Sequence, residues 1–379
     1  MTTTEGIAAR YGSGQTLRRV EDPALLQGQG RFTDDHVLPG QLYLAFVRST
    51  TAHGRITGID LDAARATPGV VAVHTGADLM AAGVKPIPTA PAFKRPDGQP
   101  MAAPPKRALA HEVLRYVGEP VVAIVADSRA AARAAADSVF VQTEDLPVNV
   151  DPVRALLPGA PVLWEGAPDN ISAEMSHGDA AATEAAFARA AHSVSLALVN
   201  QRLAPAPMEP RSVLAWMDGE RLTMRLSSQM PTGVRAGLVD AIPGLTADNT
   251  RVVVGDVGGG FGMKTGIYPE DIAVGWIART LNRPVKWQAE RLEDFTSAVH
   301  GRDVISRAEL ALDAQGKVLA LRVRSLANVG AYPSTTAAAI QLLIGPWVAT
   351  SVYDIPVIDF RFTAVLTNTA PTGAYRGAG

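Results

Sequence analysis

Cysteine is absent from this 379-residue chain. Without it there is no disulfide, no thiolate zinc site, no cysteine nucleophile and no cysteine-ligated iron–sulfur cluster carried by the chain itself. Long apolar runs are missing too: no stretch approaches the roughly 20 residues that a membrane-spanning helix needs. The opening Met1-Thr2-Thr3-Thr4-Glu5-Gly6 has no basic segment followed by an apolar one, so no secretory signal is read there and a cytoplasmic protein is expected. Charge of one sign is also scarce. Lys and Arg number 35 against 37 Asp and Glu, a net charge of −2, which leaves no broad electrostatic footprint for nucleic acid or an anionic membrane. The seven histidines (36, 53, 74, 111, 177, 192 and 300) form no His-x-His or His-x-x-x-His pair, so surface or packing roles are expected for them. What remains is 47% apolar and 19% charged, the balance of a soluble globular protein long enough for two or three domains.

Against these absences one stretch stands out, Arg251-Val252-Val253-Val254-Gly255-Asp256-Val257-Gly258-Gly259-Gly260-Phe261-Gly262-Met263-Lys264. The β-branched run at its start reads as a buried strand. Five glycines then fall within residues 255–262, around a single aromatic. Glycine tolerates positive φ and lets another group approach the backbone, so the loop should bend sharply, expose N–H groups and hold one ring in place. Pro269-Glu270-Asp271 has the proline and carboxylates of a helix start; Ile272, Trp276, Ile277 and Leu281 follow at helical spacing, and Asn282 and Pro284 end the pattern. No register of 255–262 supplies the Gly-x-Gly-x-x-Gly of a dinucleotide fingerprint. A P-loop fits from Gly258 to Thr265 except at Met263, where its last glycine belongs; that nucleotide-hydrolase reading would put Lys264 on phosphate and use the Val121–Asp127 strand for a metal-binding aspartate. A glycine-rich turn with no ligand is the third reading.

Along the chain, residues 1–15 read as a frayed polar opening. Strands are expected at 42–47, 56–60 and 70–74, with a one- or two-turn helix capped by Asp62 and stopped by Pro68-Gly69 between the last two. Seven prolines between Lys85 and Pro105 mark an irregular arm or lid rather than core. The run Val121–Ala126 is of parallel-strand type, Ser128 caps an alanine-rich helix, and a strand returns at 139–141. Asp179 caps a second helix, with a strand at 193–199 after it. Hairpins are expected at 213–226, around Asp218-Gly219, and at 308–325, around Asp313–Gly316. The fold class is therefore mixed, α+β, with a small α/β unit over 1–150, a linker over 151–175 and a second domain over 176–379.

These residues carry a resemblance. Gly258-Gly259-Gly260-Phe261-Gly262-Met263-Lys264 resembles the Gly-Gly-Phe-Gly-x-Lys loop of the molybdenum hydroxylase family, the large subunits of xanthine dehydrogenases, aldehyde oxidoreductases and carbon monoxide dehydrogenases. Further segments fall in the family's order: Arg18–Pro23 through Gly28–Thr33, Arg115–Ala123, Asn200–Arg211, Ser228-Gln229, and Thr367–Gly377. The resemblance covers nearly all of residues 15–379. It implies a hammerhead-type first domain followed by the first molybdopterin-binding domain. It also implies oxidative hydroxylation of an aldehyde or an N-heteroaromatic carbon, with water as the oxygen source.

Carried over by position, Gly259, Gly260, Phe261 and Gly262 would lie against a molybdenum–pterin cofactor, in its cytosine dinucleotide form. Phe261 would flank the substrate channel. Gln229 matches a glutamine that hydrogen-bonds an oxo ligand, and Ala374, Tyr375, Arg376 and Gly377 match the loop on the metal's far side. Arg376 would give a fixed positive charge, and Gln229, Phe261 and Arg376 are the expected catalytic residues. No metal ligand is expected from the protein, because the pterin dithiolene supplies sulfur. The resemblance places a [2Fe–2S] cluster, and a flavin (FAD), on partner subunits. It departs at Gly377, where carbon monoxide dehydrogenases have a copper-holding cysteine, and at Thr265, where xanthine-oxidising members have a glutamate. The chain also stops at Gly379, where the family continues into a second half carrying a catalytic glutamate, so that half is expected on another chain or missing. Glu119, in a Gly-Glu-Pro, is expected to be structural. A cofactor-less scaffold half is the remaining alternative.

Overall fold

The computed structural model of the protein describes residues 18–378; the polar opening over 1–15 lies outside them. The first part carries β1 (Leu42–Arg48), β2 (Gly54–Asp60), β3 (Val70–Thr75), β4 (Val113–Leu114), β5 (Pro120–Ala126) and β6 (Phe140–Asp145). Then come β7 (Ile171–Gly178), β8 (His192–Asn200), β9 (Ser212–Asp218), β10 (Arg221–Leu226), β11 (Thr250–Val253), β12 (Val285–Gln288), β13 (Val304–Leu312), β14 (Val318–Gly330) and β15 (Ile358–Leu366). They form a seven-stranded sheet in the order β11-β10-β9-β12-β1-β5-β3, a five-stranded sheet β7-β15-β14-β13-β8 and a three-stranded sheet β4-β2-β6.

The apolar run of β5 is explained by its position between two cores. Ala123 and Val125 pack with Leu44, Ile272 and Trp287, whereas Val122 and Ile124 pack with Ala64 and Ala135. Both faces are therefore apolar, as expected of a continuous run, but the strand pairs antiparallel with β1 and with β3. Burial on both faces, not a parallel neighbour, is what the run encodes.

The division near residue 150 is crossed by hydrogen bonds. β1 pairs parallel with β12, so three strands from the first 150 residues complete a sheet built from residues 212–288. The stretch read as a linker over 151–175 ends earlier: β7 begins at Ile171 and pairs antiparallel with β15. The signal was hidden because this strand contains Ala, Ser, Glu and Met rather than β-branched residues. The proline-rich arm also differs from the expectation. It has no regular element between 85 and 112, yet Met101 is buried with Ala173 and Tyr332, and Arg95 reaches Asp169 at 2.8 Å.

Local signals hold where the chemistry is short-range. Ser128 Oγ accepts the Ala131 N–H and Asp179 accepts that of Ala182, both N-caps. The helix Pro269–Leu281 opens on its proline and closes on Asn282 in the left-handed region (φ 50°). Both hairpins form, β9–β10 and β13–β14. Among the described residues no helix is long and apolar enough to cross a membrane.

Candidate functional site

The glycine loop leaves β11 at Val253 and takes a conformation that its residues explain. Gly259 (φ 96°) and Gly262 (φ 93°) sit in the left-handed region that favours glycine. Phe261 is there as well, at φ 51°, a cost of about 1–3 kcal/mol for a bulky residue. That conformation turns the Phe261 ring outward, where it is 41% exposed. The N–H groups of Gly259, Gly260 and Phe261 donate to no acceptor among the described residues, so three successive donors are free. Gln229 lies against them. Its Oε1 accepts the Gly262 N–H at 2.8 Å, while Nε2 is left without a protein partner among the described residues. At Gly260 a Cβ would stand 2.4 Å from Gln229 Oε1, so any larger residue would displace the Gln229 side chain.

A buried staple sets the loop. Lys264 Nζ is enclosed and donates to the Glu209 carbonyl at 2.8 Å, to Glu209 Oε2 at 3.2 Å and to Ser227 Oγ at 2.7 Å. Glu209 Oε2 also accepts the Gly258 N–H at 2.8 Å and the Ser227 hydroxyl at 2.5 Å. Burial lowers the lysine's pKa, and Glu209 opposes it. This overturns the P-loop reading: the lysine meant for phosphate is consumed inside the protein, and the helix begins only at Pro269.

Beneath the staple is a second ionic layer. Arg211 meets Asp294 at 2.7 Å and Glu270 at 3.1 Å, and Arg48 meets Glu270 at 2.8 Å and Glu293 at 2.7 Å. Burial alone would raise the Glu270 pKa, but Arg211 and Arg48 outweigh it and hold the carboxyl at about 2.

The Ala374–Gly377 segment meets the loop backbone to backbone. Arg376 N–H donates to the Phe261 carbonyl at 2.8 Å, and a Cβ on Gly262 would come within 2.6 Å of the Ala374 carbonyl. The Arg376 guanidinium is exposed, 5.8 Å from the centre of the Phe261 ring, with no carboxylate within salt-bridge distance among the described residues. The segment is held from behind by Arg302, which donates to the Tyr375 carbonyl at 2.6 Å and the Arg376 carbonyl at 2.9 Å. Arg302 and Asp303 both adopt positive φ (64° and 67°), and Arg202 clamps Asp303 at 2.7 Å. Two adjacent strained residues directly behind an exposed arginine are the mark of a built position.

The structure thus brings together Gln229, Gly259, Gly260, Phe261, Gly262, Ala374, Tyr375 and Arg376, with exposed Gly377 (φ 70°) just beyond. It keeps Glu119 away: that carboxyl is buried, accepting the Tyr332 hydroxyl and, at 2.7 Å, the Arg115 N–H. Burial raises its pKa, and it is structural as expected. Sequence reading missed Glu209, Arg302 and Arg202. Glu209 lay inside a noted segment, but nothing local announced its partners; nothing marked Arg302.

The donor set is one of N–H groups: three backbone amides, a side-chain amide and a guanidinium. Among the described residues no group of three or more His, Cys, Asp or Glu could hold a metal ion. Such a set fits a large group with oxygen and nitrogen acceptors that carries its own metal ligands.

Comparison with known proteins points the same way. Residues 163–379, over half of the chain, match the family described as molybdopterin cofactor-binding domain. Residues 27–147 match the aldehyde oxidase and xanthine dehydrogenase a/b hammerhead domain. The nicotine 6-hydroxylase large subunit of Paenarthrobacter nicotinovorans is 38% identical over 97% of this chain and 44% of its own length. Among solved structures, quinoline 2-oxidoreductase from Pseudomonas putida 86 superposes with a TM-score of 0.86 at 36% identity, over 97% of this chain and 46% of that one. Reconstituted CO dehydrogenase from Oligotropha carboxidovorans gives 0.87 at 34% identity, over 96% and 45%. The chain spans less than half the length of these relatives.

Proposed function

The chain belongs to the molybdenum hydroxylase family, as a hammerhead domain followed by a molybdopterin-binding domain, and from that premise we propose that it forms part of the active centre of a multi-subunit oxidoreductase. The observation that carries this reading is the convergence of the three free N–H groups of residues 259–261, the Gln229 amide and the unpaired Arg376 guanidinium on one surface.

The cofactor is molybdopterin with molybdenum, here proposed in its cytosine dinucleotide form; when bound it supplies oxidative hydroxylation with water as the oxygen source. The chain's own residues do the rest. The amides of Gly259 and Gly260 present donors to acceptor atoms brought against the loop, and Gln229 Nε2 adds one from the side. Their positions are fixed before anything binds, because Glu209, Lys264 and Ser227 hold the loop from below. The Phe261 ring flanks the approach, so a flat substrate can slide against it. Arg376 keeps a positive charge where negative charge develops on a substrate oxygen. An aldehyde or an N-heteroaromatic carbon is the proposed substrate. Relatives that carry the words hydroxylase and oxidoreductase for nicotine and quinoline support the second of these.

The partners are proposed as a polypeptide equivalent to the relatives' remaining length, bearing the glutamate that acts as general base, a [2Fe–2S] subunit and a flavin subunit, all cytoplasmic. The five-stranded sheet supports the first of these. Val194, Leu196 and Leu198 of β8 are exposed, and Leu198 lines a groove with Val304 and Val323, beside Gly373 and Ala378 of the Arg376 segment. A surface of this kind ordinarily has a partner.

The test is elemental analysis for molybdenum and iron on the protein purified from its native source, with mass spectrometry of what co-purifies. Molybdenum together with a cysteine-rich partner is the expected result. Clean protein that never carries molybdenum, with its partners present, sinks the reading in favour of a scaffold half.

A further inference from the structure

A second cleft, of about 410 Å³, adjoins the cradle but is not lined by Gln229, Phe261 or Arg376. It is large enough for a small ligand. Thr265 and Gly266, which follow the glycine loop, and Gly373 and Ala374, which lead into Arg376, line it. Ala374 also packs its carbonyl against Gly262, so cleft and cradle share a wall. The remaining lining is mainly apolar, with Ile87, Pro88, Ile267, Tyr268 and Tyr332, and includes Thr89, Ser334 and Thr336.

One cation lies in this lining. Lys106 comes from the proline-rich arm, whose two limbs are joined where the Ile87 N–H meets the Lys106 carbonyl at 2.8 Å and which is tied down by Lys85 N–H on the Ala241 carbonyl. The Lys106 Nζ lies 5.9 Å from the centre of the Tyr268 ring. Among the described residues no carboxylate lies within 4.0 Å of it and no acceptor is bonded to it. Five other largely enclosed cations are paired. Arg48, Arg202, Arg211, Lys264 and Lys286 each have a carboxylate within 4.0 Å. Tyr332, which also lines the cleft, donates its hydroxyl to Glu119 and makes no hydrogen bond with Lys106. The one carboxylate of the cleft lining, Asp240, is exposed on the helix Pro231–Ala241. Burial lowers the Lys106 pKa to about 8, with Glu270 opposing, so the group is still mainly charged at neutral pH. A half-buried ammonium with no counter-ion among the described residues, facing a largely apolar cleft, is complementary to a carboxylate.

We propose that this cleft binds a planar aromatic or heteroaromatic carboxylate, with Lys106 Nζ on the carboxylate and the ring between the apolar walls. As a binding site it stands by itself; as the anchor of a substrate whose ring carbon reaches the cradle, it rests on the hydroxylase reading. Anchoring at Lys106 makes the residue a determinant of specificity, selecting acids over their neutral analogues.

Calorimetric titration of the purified enzyme, with whatever partner chains accompany it, compares benzoate and nicotinate with neutral benzamide. Benzoate is expected to bind at least tenfold tighter than benzamide in the wild type. Lys106→Met should erase that preference and Lys106→Arg retain it. Saturating benzoate should also protect Lys106 from acetylation by acetic anhydride at pH 8, read by peptide mass spectrometry. Equal binding of benzoate and benzamide by the wild type, or unprotected Lys106, overturns the proposal without reliance on a variant that folds. Displacement of benzoate by inorganic phosphate at lower concentration also overturns it, assigning the cleft to a cofactor phosphate. Molybdenum is measured on the same samples: a carboxylate preference in molybdenum-free native enzyme would keep the cleft and retire the hydroxylase.

Discussion

Glu209 Oε2 lies 3.2 Å from Lys264 Nζ and accepts the Gly258 N–H at 2.8 Å, so one carboxylate holds both ends of the glycine loop. Replacing it by alanine leaves a buried ammonium without a counter-charge, held only by the residue-209 carbonyl and the Ser227 hydroxyl. Glu209→Ala is expected to lose about 3–5 kcal/mol of stability, with Glu209→Gln losing less. Denaturant melts paired with molybdenum content measure both effects. If Glu209→Ala unfolds at the wild-type midpoint, the staple is not a support of the loop.

Two glycines of the site should respond differently to alanine. Gly262 has φ 93° and the Ala374 carbonyl 2.6 Å from the position of a Cβ, whereas Gly377 has φ 70° and open space around it. Gly262→Ala is expected to cost about 3 kcal/mol or more through strain and backbone displacement, and Gly377→Ala only about 1–2 kcal/mol through conformation. Thermal melts of the pair decide the matter; equal shifts would contradict the close packing of the two segments.

A third expectation concerns pH. Burial pushes the Asp271 carboxyl up to about 7, with the Tyr268 N–H bond opposing and Glu270 adding to the rise. A folded pKa above the unfolded one means that the folded state holds the extra proton. This group's contribution is full below about pH 4 and is lost as pH rises through 7. Asp271→Asn, which keeps an acceptor for Tyr268, should flatten the fall in stability between pH 4 and 7. An unchanged slope in urea titrations across that range would rule out Asp271 as its source.

Glu270 works in the opposite sense. Held at about 2 by Arg211 and Arg48 against burial, it contributes stability above its unfolded value of 4.5 that disappears as pH falls toward 2. Glu270→Gln leaves two guanidiniums short of a partner, and the variant is expected to have lost its acid-sensitive component together with about 3 kcal/mol or more at neutral pH.

Arg376 touches no carboxylate among the described residues, so its removal should spare the fold. Arg376→Met is expected to leave the melting temperature within a degree or two and to lower turnover by about 10²–10³ fold, with Arg376→Lys between them. A full loss of molybdenum in Arg376→Met would instead make the residue a cofactor clamp.

Several elements were legible because their causes are local. Pro269 and Asn282 bracket the helix between them, Ser128 and Asp179 cap theirs, and Asp218-Gly219 turns the β9–β10 hairpin. The bend of the glycine loop was legible for the same reason: glycine opens the left-handed region, and Gly259 and Gly262 adopt it on either side of Phe261. β7 was not, because a strand of small and polar residues has no period to read until β15 lies beside it.

By itself, then, the sequence determined several bends of the backbone, the caps at Ser128 and Asp179, the ends of the helix Pro269–Leu281, the burial of the β5 run, and that no cysteine of this chain contributes to any site. Tertiary structure alone decided that β5 is antiparallel, that β1 joins β12 across the chain's two parts, that Lys264 is spent on Glu209 and that Lys106 meets no carboxylate among the described residues. The reason is range. Steric and capping preferences act within a few residues, whereas a charge finds or lacks its partner only when segments 55 or more positions apart come together, and burial then sets the cost of being left alone.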